Sequence, residues 1–309
     1  MGSLAIGASR RFGRVGRGAP SEASSAVEPQ ASSWTIAKGY RWLLVPPALF
    51  LALFFLWPLL RVALRSVTDP AFGFGNYARI VSGGPYAQVL WNTIETAGVV
   101  TLICLLIAYP VAYVMSEARG TKLQLLAVFV VVPLWTSIVI RSYAWMVVFQ
   151  RRGVLNEALG TLGWIDEPIR FLPGTIAVNV GMVHIMLPFM ILPLVASMRG
   201  IDRSLLRAAG ILGAGPFTAF RKIFLPLSLP GVLAGAALVF MMSLGFFITP
   251  ALLGGPRHMM AAVLIEQQAS SLLDWGMASA LSTLLLLLTL AIYGVYVRLT
   301  GVAGLAGTR

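Results

Sequence analysis

The stretch that decides the fold runs from Arg199 to Pro230 and reads RGIDRSLLRAAGILGAGPFTAFRKIFLPLSLP. It is a polar interruption in an apolar chain, with five basic residues against one acid. Apolar residues recur at helical spacing on both sides of the Gly-Ala-Gly-Pro run at 213–216, which predicts two short amphipathic helices. The glycines permit a positive φ and the proline opposes a continued helix, so we expect a tight, exposed turn. We call residues 199–230 the elbow and expect it to dock into a groove of another protein.

The rest of the chain is too apolar for a soluble domain. Of 309 residues, 58% are apolar and only 11% are charged, and the mean hydropathy is +0.85. About 20 apolar residues cross a bilayer as a helix, which predicts an all-α, polytopic membrane protein with six transmembrane helices. The predicted spans are Leu43–Leu64, Thr93–Met115, Leu123–Phe149, Thr175–Met198, Gly231–Leu253 and Ala278–Leu299.

Basic residues are distributed unequally between the two sides of these spans. Fifteen lie in the tails, the second loop and the elbow, whereas six lie in the opposite loops, where six acids offset them. Because cytoplasmic loops carry the excess of Lys and Arg, both termini and the elbow are predicted to be cytoplasmic. The net charge of +12 is therefore a topology signal, and we expect no nucleic-acid partner.

Three regions follow from the composition. Residues 1–40 are rich in Ser, Ala, Gly and Arg, which predicts a disordered, basic cytoplasmic tail. Residues 41–300 form the predicted transmembrane domain, with the elbow at 199–230 as its cytoplasmic loop. Residues 301–309 are the predicted cytoplasmic C-terminal tail.

Prolines and small residues mark positions inside two spans. Pro188 and Pro193 can break the fourth span and free backbone carbonyls. Gly231 and Gly235 lie four residues apart near the start of the fifth span, a spacing that favours close packing of two helices. His184, alone among apolar residues of the fourth span, is more typical of a packed contact between helices than of a ligand.

Part of the elbow resembles a known family. Ala208-Ala209, Gly213-Ala214, Phe220, Ile223 and Leu225-Pro226 match, at the family's spacing, the EAA loop of permease subunits in binding-protein-dependent ABC importers. The resemblance implies a type I ABC importer permease fold in the bacterial inner membrane. It also implies three protein partners, namely an ABC ATPase subunit that binds ATP, a second related permease subunit and an extracytoplasmic solute-binding protein. The lipid bilayer is a fourth, non-protein partner.

The resemblance assigns roles within the elbow. Ala208 and Ala209 would allow close approach of the ATPase, Gly213 would set the turn, and Phe220, Ile223 and Leu225 would pack the elbow against its own spans. The acid that names the motif is replaced here by Arg207. The predicted ATPase-coupling residues are Arg207, Ala208, Ala209, Gly213, Ala214, Phe220, Ile223, Leu225 and Pro226.

A second resemblance concerns the solute. The segment Gly245–Gly255, reading GFFITPALLGG, looks like the one that follows the EAA loop in the first permease subunit of spermidine/putrescine importers. It implies a polyamine or a related small cation. Permeases with the same loop also carry amino-acid-like solutes, sulfate or ferric iron, so these solutes stay open as alternatives.

Four residues are candidates for the solute pathway. Glu95 is an acid near the start of the second span, where it is either a solvated acid at the helix end or a functional group. Trp135, Tyr143 and Trp145 could attract a cation through their ring faces. Two interpretations, an interface belt and a cation pathway, stay open for these aromatic residues.

Sequence patterns for catalysis are missing. No G-x-x-x-x-G-K-[ST] occurs, so the chain has no phosphate-binding loop for ATP. No H-E-x-x-H or CxxC pattern is present, and no span contains an aspartate. We therefore predict no catalytic residue, no metal ligand and no cofactor of the chain's own. The alternative from a different class is a passive six-span channel or scaffold protein.

Overall fold

The computed structural model describes residues 42–82 and 84–300, with side chains through residue 298. Within these ranges the chain is helical and contains no strand, which confirms the all-α prediction. The predicted tails, residues 1–40 and 301–309, lie outside the described residues.

The helices follow one another through short turns. The chain divides into two compact units, residues 1–51 and 52–309, and α1 belongs to the first. The helices are α1 (Val45–Leu51), α2 (Trp57–Thr68), α3 (Gly75–Val81), α4 (Pro85–Glu117), α5 (Thr121–Trp135), α6 (Ile138–Val148), α7 (Val154–Thr161), α8 (Thr175–Arg199), α9 (Arg203–Ile211), α10 (Pro216–Ala219), α11 (Leu225–Leu244), α12 (Ile248–Leu253), α13 (Ala261–Glu266) and α14 (Trp275–Thr300).

Five helical stretches of the described chain are long and apolar enough to cross a membrane, and a bent pair adds a sixth if it counts as one span. The five are Trp42–Thr68, Pro85–Glu117, Thr175–Arg199, Pro216–Leu244 and Trp275–Arg298. These stretches agree with five of the six predicted positions, although the ends of Pro216–Leu244 differ from those of the fifth predicted span, Gly231–Leu253.

The third predicted span is not one straight helix. The predicted span Leu123–Phe149 corresponds to α5 and α6, which meet at 96°. Thr136 and Ser137 between them have extended backbone, with ψ angles of 146° and 132°. The Thr136 hydroxyl donates to the carbonyl oxygen of Pro133 over 2.8 Å, which satisfies an acceptor freed where the helix ends.

The fifth span starts and ends earlier than predicted. The helical stretch begins at Pro216 within the elbow and ends at Leu244, and α12 is a separate short helix. A π-helical turn, Phe220–Phe224, precedes α11. Pro226 sits at the start of α11, where a missing N–H is best tolerated. The second elbow helix is therefore not a separate short helix, because it continues directly into the membrane-spanning helix α11.

The core is centred on α8, which packs against α4 and α11. Its prolines do not break it, because α8 runs without interruption through both. A fully buried stripe recurs every four residues along one face, as expected for a helix enclosed on that side. Its members are Met182, Met186, Met190, Leu194 and Met198.

Glycines allow α11 to approach α8 closely. A Cβ on Gly235 would lie 2.8 Å from Met190 Sδ, and a Cβ on Gly231 would collide with Ser197. Side chains at these two positions would force the helices apart. The predicted small-residue face of the fifth span is thereby confirmed, with α8 as the helix it packs on.

Candidate functional site

The first elbow helix, α9, begins at a capping acid. The Asp202 carboxylate accepts hydrogen bonds from Ser204 Oγ at 2.6 Å and from the Ser204 backbone N–H at 2.8 Å. These bonds stabilise the charged form and hold the pKa of Asp202 below its usual range. The cap satisfies one of the N–H groups that a helix start leaves unpaired.

The turn between α9 and α10 depends on one glycine. Gly213 has a φ of +85°, in the left-handed region, and its N–H donates to the Gly210 carbonyl oxygen over 3.0 Å. Gly215 has an ordinary φ of −65°. The predicted tight turn is present, and its left-handed residue is Gly213.

Charged side chains fasten the elbow to the end of α4. Arg203 forms an ion pair with Glu117, and its Nη2 donates to Ser116 Oγ at 2.9 Å. Arg199 Nη2 donates to the carbonyl oxygen of Ala118 over 2.9 Å. Two of the elbow's five basic side chains thus bind groups of the same chain. The other three are exposed; these are Arg207, Arg221 and Lys222.

An aromatic cluster fills the angle between the elbow and α4. Phe224 is 1% exposed and meets the Tyr113 ring edge to face at 5.1 Å, while Phe220 meets Tyr109 and Tyr113 at 6.2 and 6.1 Å. Tyr109 and Ser228 share a hydrogen bond of 2.9 Å between their hydroxyl groups. Such edge-to-face pairs stabilise a fixed orientation of the rings. The elbow and α4 therefore have a defined relative position.

The predicted coupling residues divide by exposure. Ala209 is buried, and Ala214, Phe220 and Ile223 are half-buried. The exposed members are Arg207, Ala208, Gly213, Leu225 and Pro226. Phe224 fills the core of the elbow, but it was not among the predicted site residues. Helical spacing alone gives Phe220 and Phe224 the same signal and does not indicate which of the two rings is buried.

Three large apolar side chains stand out at the turn of the elbow. Ile211 and Leu212 are each 87% exposed, and Phe217 is 74% exposed. They flank Gly213, in a polar segment that is itself anchored to α4. We call these three residues the elbow tip. They were not predicted as a group, although two adjacent aliphatic residues beside a glycine turn are a usable signal for an exposed contact.

A polar cleft of about 290 Å³ lies at the other end of α4. Its walls include Asn92 and Glu95 of α4, Thr175 and Asn179 of α8, and Arg257 and His258 of the turn Pro256–His258. Since α4 has 33 residues, its two ends are about 48 Å apart. The cleft and the elbow therefore lie at opposite ends of one helix.

The cleft contains one of the four predicted pathway residues. Glu95 is exposed there, but Trp135, Tyr143 and Trp145 are not among its lining residues. Trp135 is 88% exposed in a separate apolar groove at the end of α5, and Tyr143 is exposed on α6. Trp145 Nε1 donates to His184 Nδ1 over 3.0 Å, so this pair is a contact between α6 and α8. That contact agrees with the expected packing role of His184.

One buried cation lies near the break between α5 and α6. Arg141 is 8% exposed, and its Nε and Nη1 atoms have no hydrogen-bond partner among the described residues. Its Nη2 donates to the Thr136 carbonyl oxygen at 3.4 Å, a long contact. Burying an ionisable side chain at membrane depth costs free energy, so such a residue is a candidate for a functional role.

Known proteins resemble this chain over most of its length. The family model described as "Binding-protein-dependent transport system inner membrane component" matches residues 39–300. The spermidine/putrescine transport system permease protein PotB of Haemophilus influenzae is 40% identical over 213 residues, which are 69% of this chain and 74% of the relative. The PotB protein of Escherichia coli is 36% identical over 231 residues, covering 74% of this chain and 84% of the relative.

Solved structures agree in fold. A chain from a bacterial ABC transporter involved in the import of the acidic polysaccharide alginate matches with a TM-score of 0.68 at 18% identity, covering 89% of this chain and 99% of that one. A chain of the MetNI methionine ABC transporter matches with a TM-score of 0.53 at 18% identity, covering 69% of this chain and 94% of that one.

Proposed function

The chain belongs to the family of binding-protein-dependent transport system inner membrane components, and from this premise we propose that it is the permease subunit through which an ATP-driven importer carries polyamines. A permease of this family is a transport subunit and not an enzyme. The family also sets aside the alternative of a passive channel or scaffold protein.

The observation that carries the coupling part of this proposal is the elbow tip. Three exposed apolar side chains project from a segment whose base is packed by aromatic rings and held to α4 by one ion pair and by hydrogen bonds. Apolar side chains in such a position are stabilised when a partner covers them. A rigid base transmits the displacement of a covered tip to the spans, as expected when an ATPase domain closes on ATP.

The partners follow from the kind of importer. The ATPase subunit binds ATP and receives the elbow, a second related permease subunit offers a second elbow, and an extracytoplasmic binding protein delivers the solute. In this arrangement the elbow and both termini face the cytoplasm, as the distribution of Lys and Arg supports. The exposed coupling residues Arg207 and Ala208 then belong to the ATPase-facing side of α9, whereas Ala209 is buried within the chain.

The solute class is the finer part of the proposal. It is supported by relatives named as spermidine/putrescine permeases at 36 and 40% identity and by an acid, Glu95, in the polar cleft. An amino-acid derivative, sulfate and ferric iron are the competing solutes.

Co-purification tests the coupling. A tagged chain, expressed with its importer subunits, is expected to bring down the ATPase subunit, and Leu212→Asp in the elbow tip is expected to abolish that association. Leu162→Asp is the matched control, because Leu162 is an exposed leucine after α7, outside the elbow. Equal recovery of the ATPase with wild type and Leu212→Asp would contradict docking through the tip.

Uptake tests the solute. Vesicles containing the complete importer and its binding protein are expected to accumulate labelled putrescine or spermidine when ATP is supplied on the side of the elbow. Accumulation of labelled sulfate or ferric iron in place of either amine would overturn the polyamine assignment while leaving the permease role intact.

A further inference from the structure

The polar cleft has an unusual set of hydrogen-bonding groups. Four of its eight polar side chains bond to one another in two pairs. Gln88 Nε2 donates to Asn92 Oδ1 over 2.9 Å, and Asn92 Nδ2 donates to the Arg257 carbonyl oxygen over 3.0 Å. Thr175 Oγ1 and His258 Nδ1 share a bond of 2.8 Å. These bonds hold the walls of the cleft in place.

Glu95 and Asn179 each bring to the cleft an acceptor that has no partner within the described residues. The Glu95 carboxylate is exposed and forms no hydrogen bond and no ion pair there. Asn179 Oδ1 is buried and likewise has no hydrogen-bond partner. A buried amide oxygen without a donor costs free energy, and a cation that donates hydrogen bonds would offset that cost and pair with the carboxylate.

A primary ammonium group satisfies both acceptors. It carries one positive charge to pair with the Glu95 carboxylate and three N–H donors, one of which suits the amide oxygen of Asn179 in the same cleft. The cleft, at about 290 Å³, is at the small end of ligand pockets, and it suits one end group better than a whole extended solute.

Arg257 limits what else can enter. Arg257 lines the same cleft, is exposed, and forms no ion pair with the described acids. A second ammonium group in the cleft would be repelled by this cation, whereas a neutral end would not. Arg257 also lines the adjoining cavity together with Arg170, so positive charge extends away from Glu95 on that side.

We propose that the cleft binds one primary ammonium group of the solute, with Glu95 as its counter-ion and Asn179 as its acceptor, while Arg257 excludes a second ammonium group. This inference rests on the proposed function, because it concerns the path of an imported amine. It adds Asn179 and Arg257 to the pathway, and it predicts that the cleft recognises an end group shared by many amines. Discrimination among those amines then belongs to other parts of the importer.

A binding assay tests the site without the solute-binding protein. The purified importer complex is heated with millimolar putrescine, or with N-acetylputrescine, which has only one ammonium group. Both amines are expected to raise the thermal midpoint of the wild type. Glu95→Gln and Asn179→Leu are each expected to weaken the apparent affinity for both amines by about tenfold, since each removes a hydrogen bond to a charged group.

Two further variants sharpen the assay. Arg257→Gln is expected to strengthen binding of putrescine more than that of N-acetylputrescine, because only putrescine brings a second charge. Glu157→Gln is the matched control, since Glu157 is an exposed acid of α7 that does not line the cleft. Its affinity for both amines is expected to equal that of the wild type.

The outcomes separate the site from the proposed function. Wild-type uptake of putrescine with no effect of Glu95→Gln on binding would overturn the site alone. Loss of N-acetylputrescine binding by the wild type, with putrescine still bound, would overturn recognition of a single ammonium group. Amine binding that depends on Glu95, in an importer that accumulates no polyamine, would support the site and overturn the polyamine assignment.

Discussion

The two ends of α4 differ in how their polar groups are satisfied. At the elbow end, Glu117 and Ser116 both bind Arg203. At the cleft end, the carboxylate of Glu95 and the amide oxygen of Asn179 lack partners among the described residues. Satisfied groups fix a geometry, whereas unsatisfied groups favour the arrival of a ligand. This difference agrees with the proposed division of roles, in which the elbow end transmits movement and the cleft end binds the solute.

The largest effect is expected from changing the elbow turn. Gly213→Pro places a ring that fixes φ near −65° where the backbone has a φ of +85°, and it removes the N–H that bonds to Gly210. Substrate-stimulated ATP hydrolysis of the importer should be abolished, although the chain should still insert into the membrane. Both are measured in one membrane preparation, by phosphate release and by the amount of extractable chain.

Gly215→Ala is the control for that variant. Gly215 has a φ of −65°, and an added Cβ would meet no atom within 4 Å. Normal stimulated hydrolysis in Gly213→Pro would contradict a rigid elbow, and an equal loss in Gly215→Ala would show that the left-handed turn is not the cause.

An intermediate effect should separate the base of the elbow from its tip. Phe224→Ala empties a fully buried position beside Tyr113 and the Arg203 guanidinium, so the free energy of unfolding should fall by about 3 kcal/mol. Phe217→Ala changes an exposed ring and should leave stability unchanged while it weakens recovery of the ATPase subunit. Thermal unfolding and co-purification measure the two effects. A lower thermal midpoint for Phe217→Ala as well would contradict the claim that Phe224 stabilises the fold while Phe217 only contacts the partner.

The smallest effect concerns pH at the start of α9. Because bonds from Ser204 lower the pKa of Asp202 in the folded chain, the cap contributes stability at neutral pH. That contribution should disappear as the pH falls through the lowered pKa, below the usual range of aspartate. The protection of amides in the first turn of α9, measured as their hydrogen-exchange rate relative to the intrinsic rate at the same pH, should then fall on acidification. Asp202→Asn should show no such dependence, since asparagine caps a helix without titrating.

Sequence patterns anticipated the elbow better than the cleft. A glycine-rich run between amphipathic stretches locates the turn at Gly213, because φ preference is local. The burial of Phe224 depends on Tyr113, more than a hundred residues earlier. The cleft brings Glu95 and Asn92 of α4 together with Asn179 of α8 and Arg257, which are far apart in the sequence. Such long-range or relational features leave no mark on a single stretch of sequence.

The span predictions failed where apolarity and backbone geometry differ. Hydropathy counts Leu123–Phe149 as one span, but the extended backbone at Thr136 and Ser137 turns the chain by 96°. Prolines suggested a break that is absent, since α8 runs through Pro188 and Pro193 as one continuous helix. Neighbouring helices pack against α8, and such protein cover supports the backbone groups that a proline leaves free.

The length of α4 converts a small rotation into a large displacement. From Glu95 to Glu117 the helix extends about 33 Å at 1.5 Å per residue, so a tilt of only about 10° about the Glu95 end would move the Glu117 end by about 6 Å. Under the proposed function, a solute end group bound in the cleft would therefore change the position of the elbow through an angular displacement of α4.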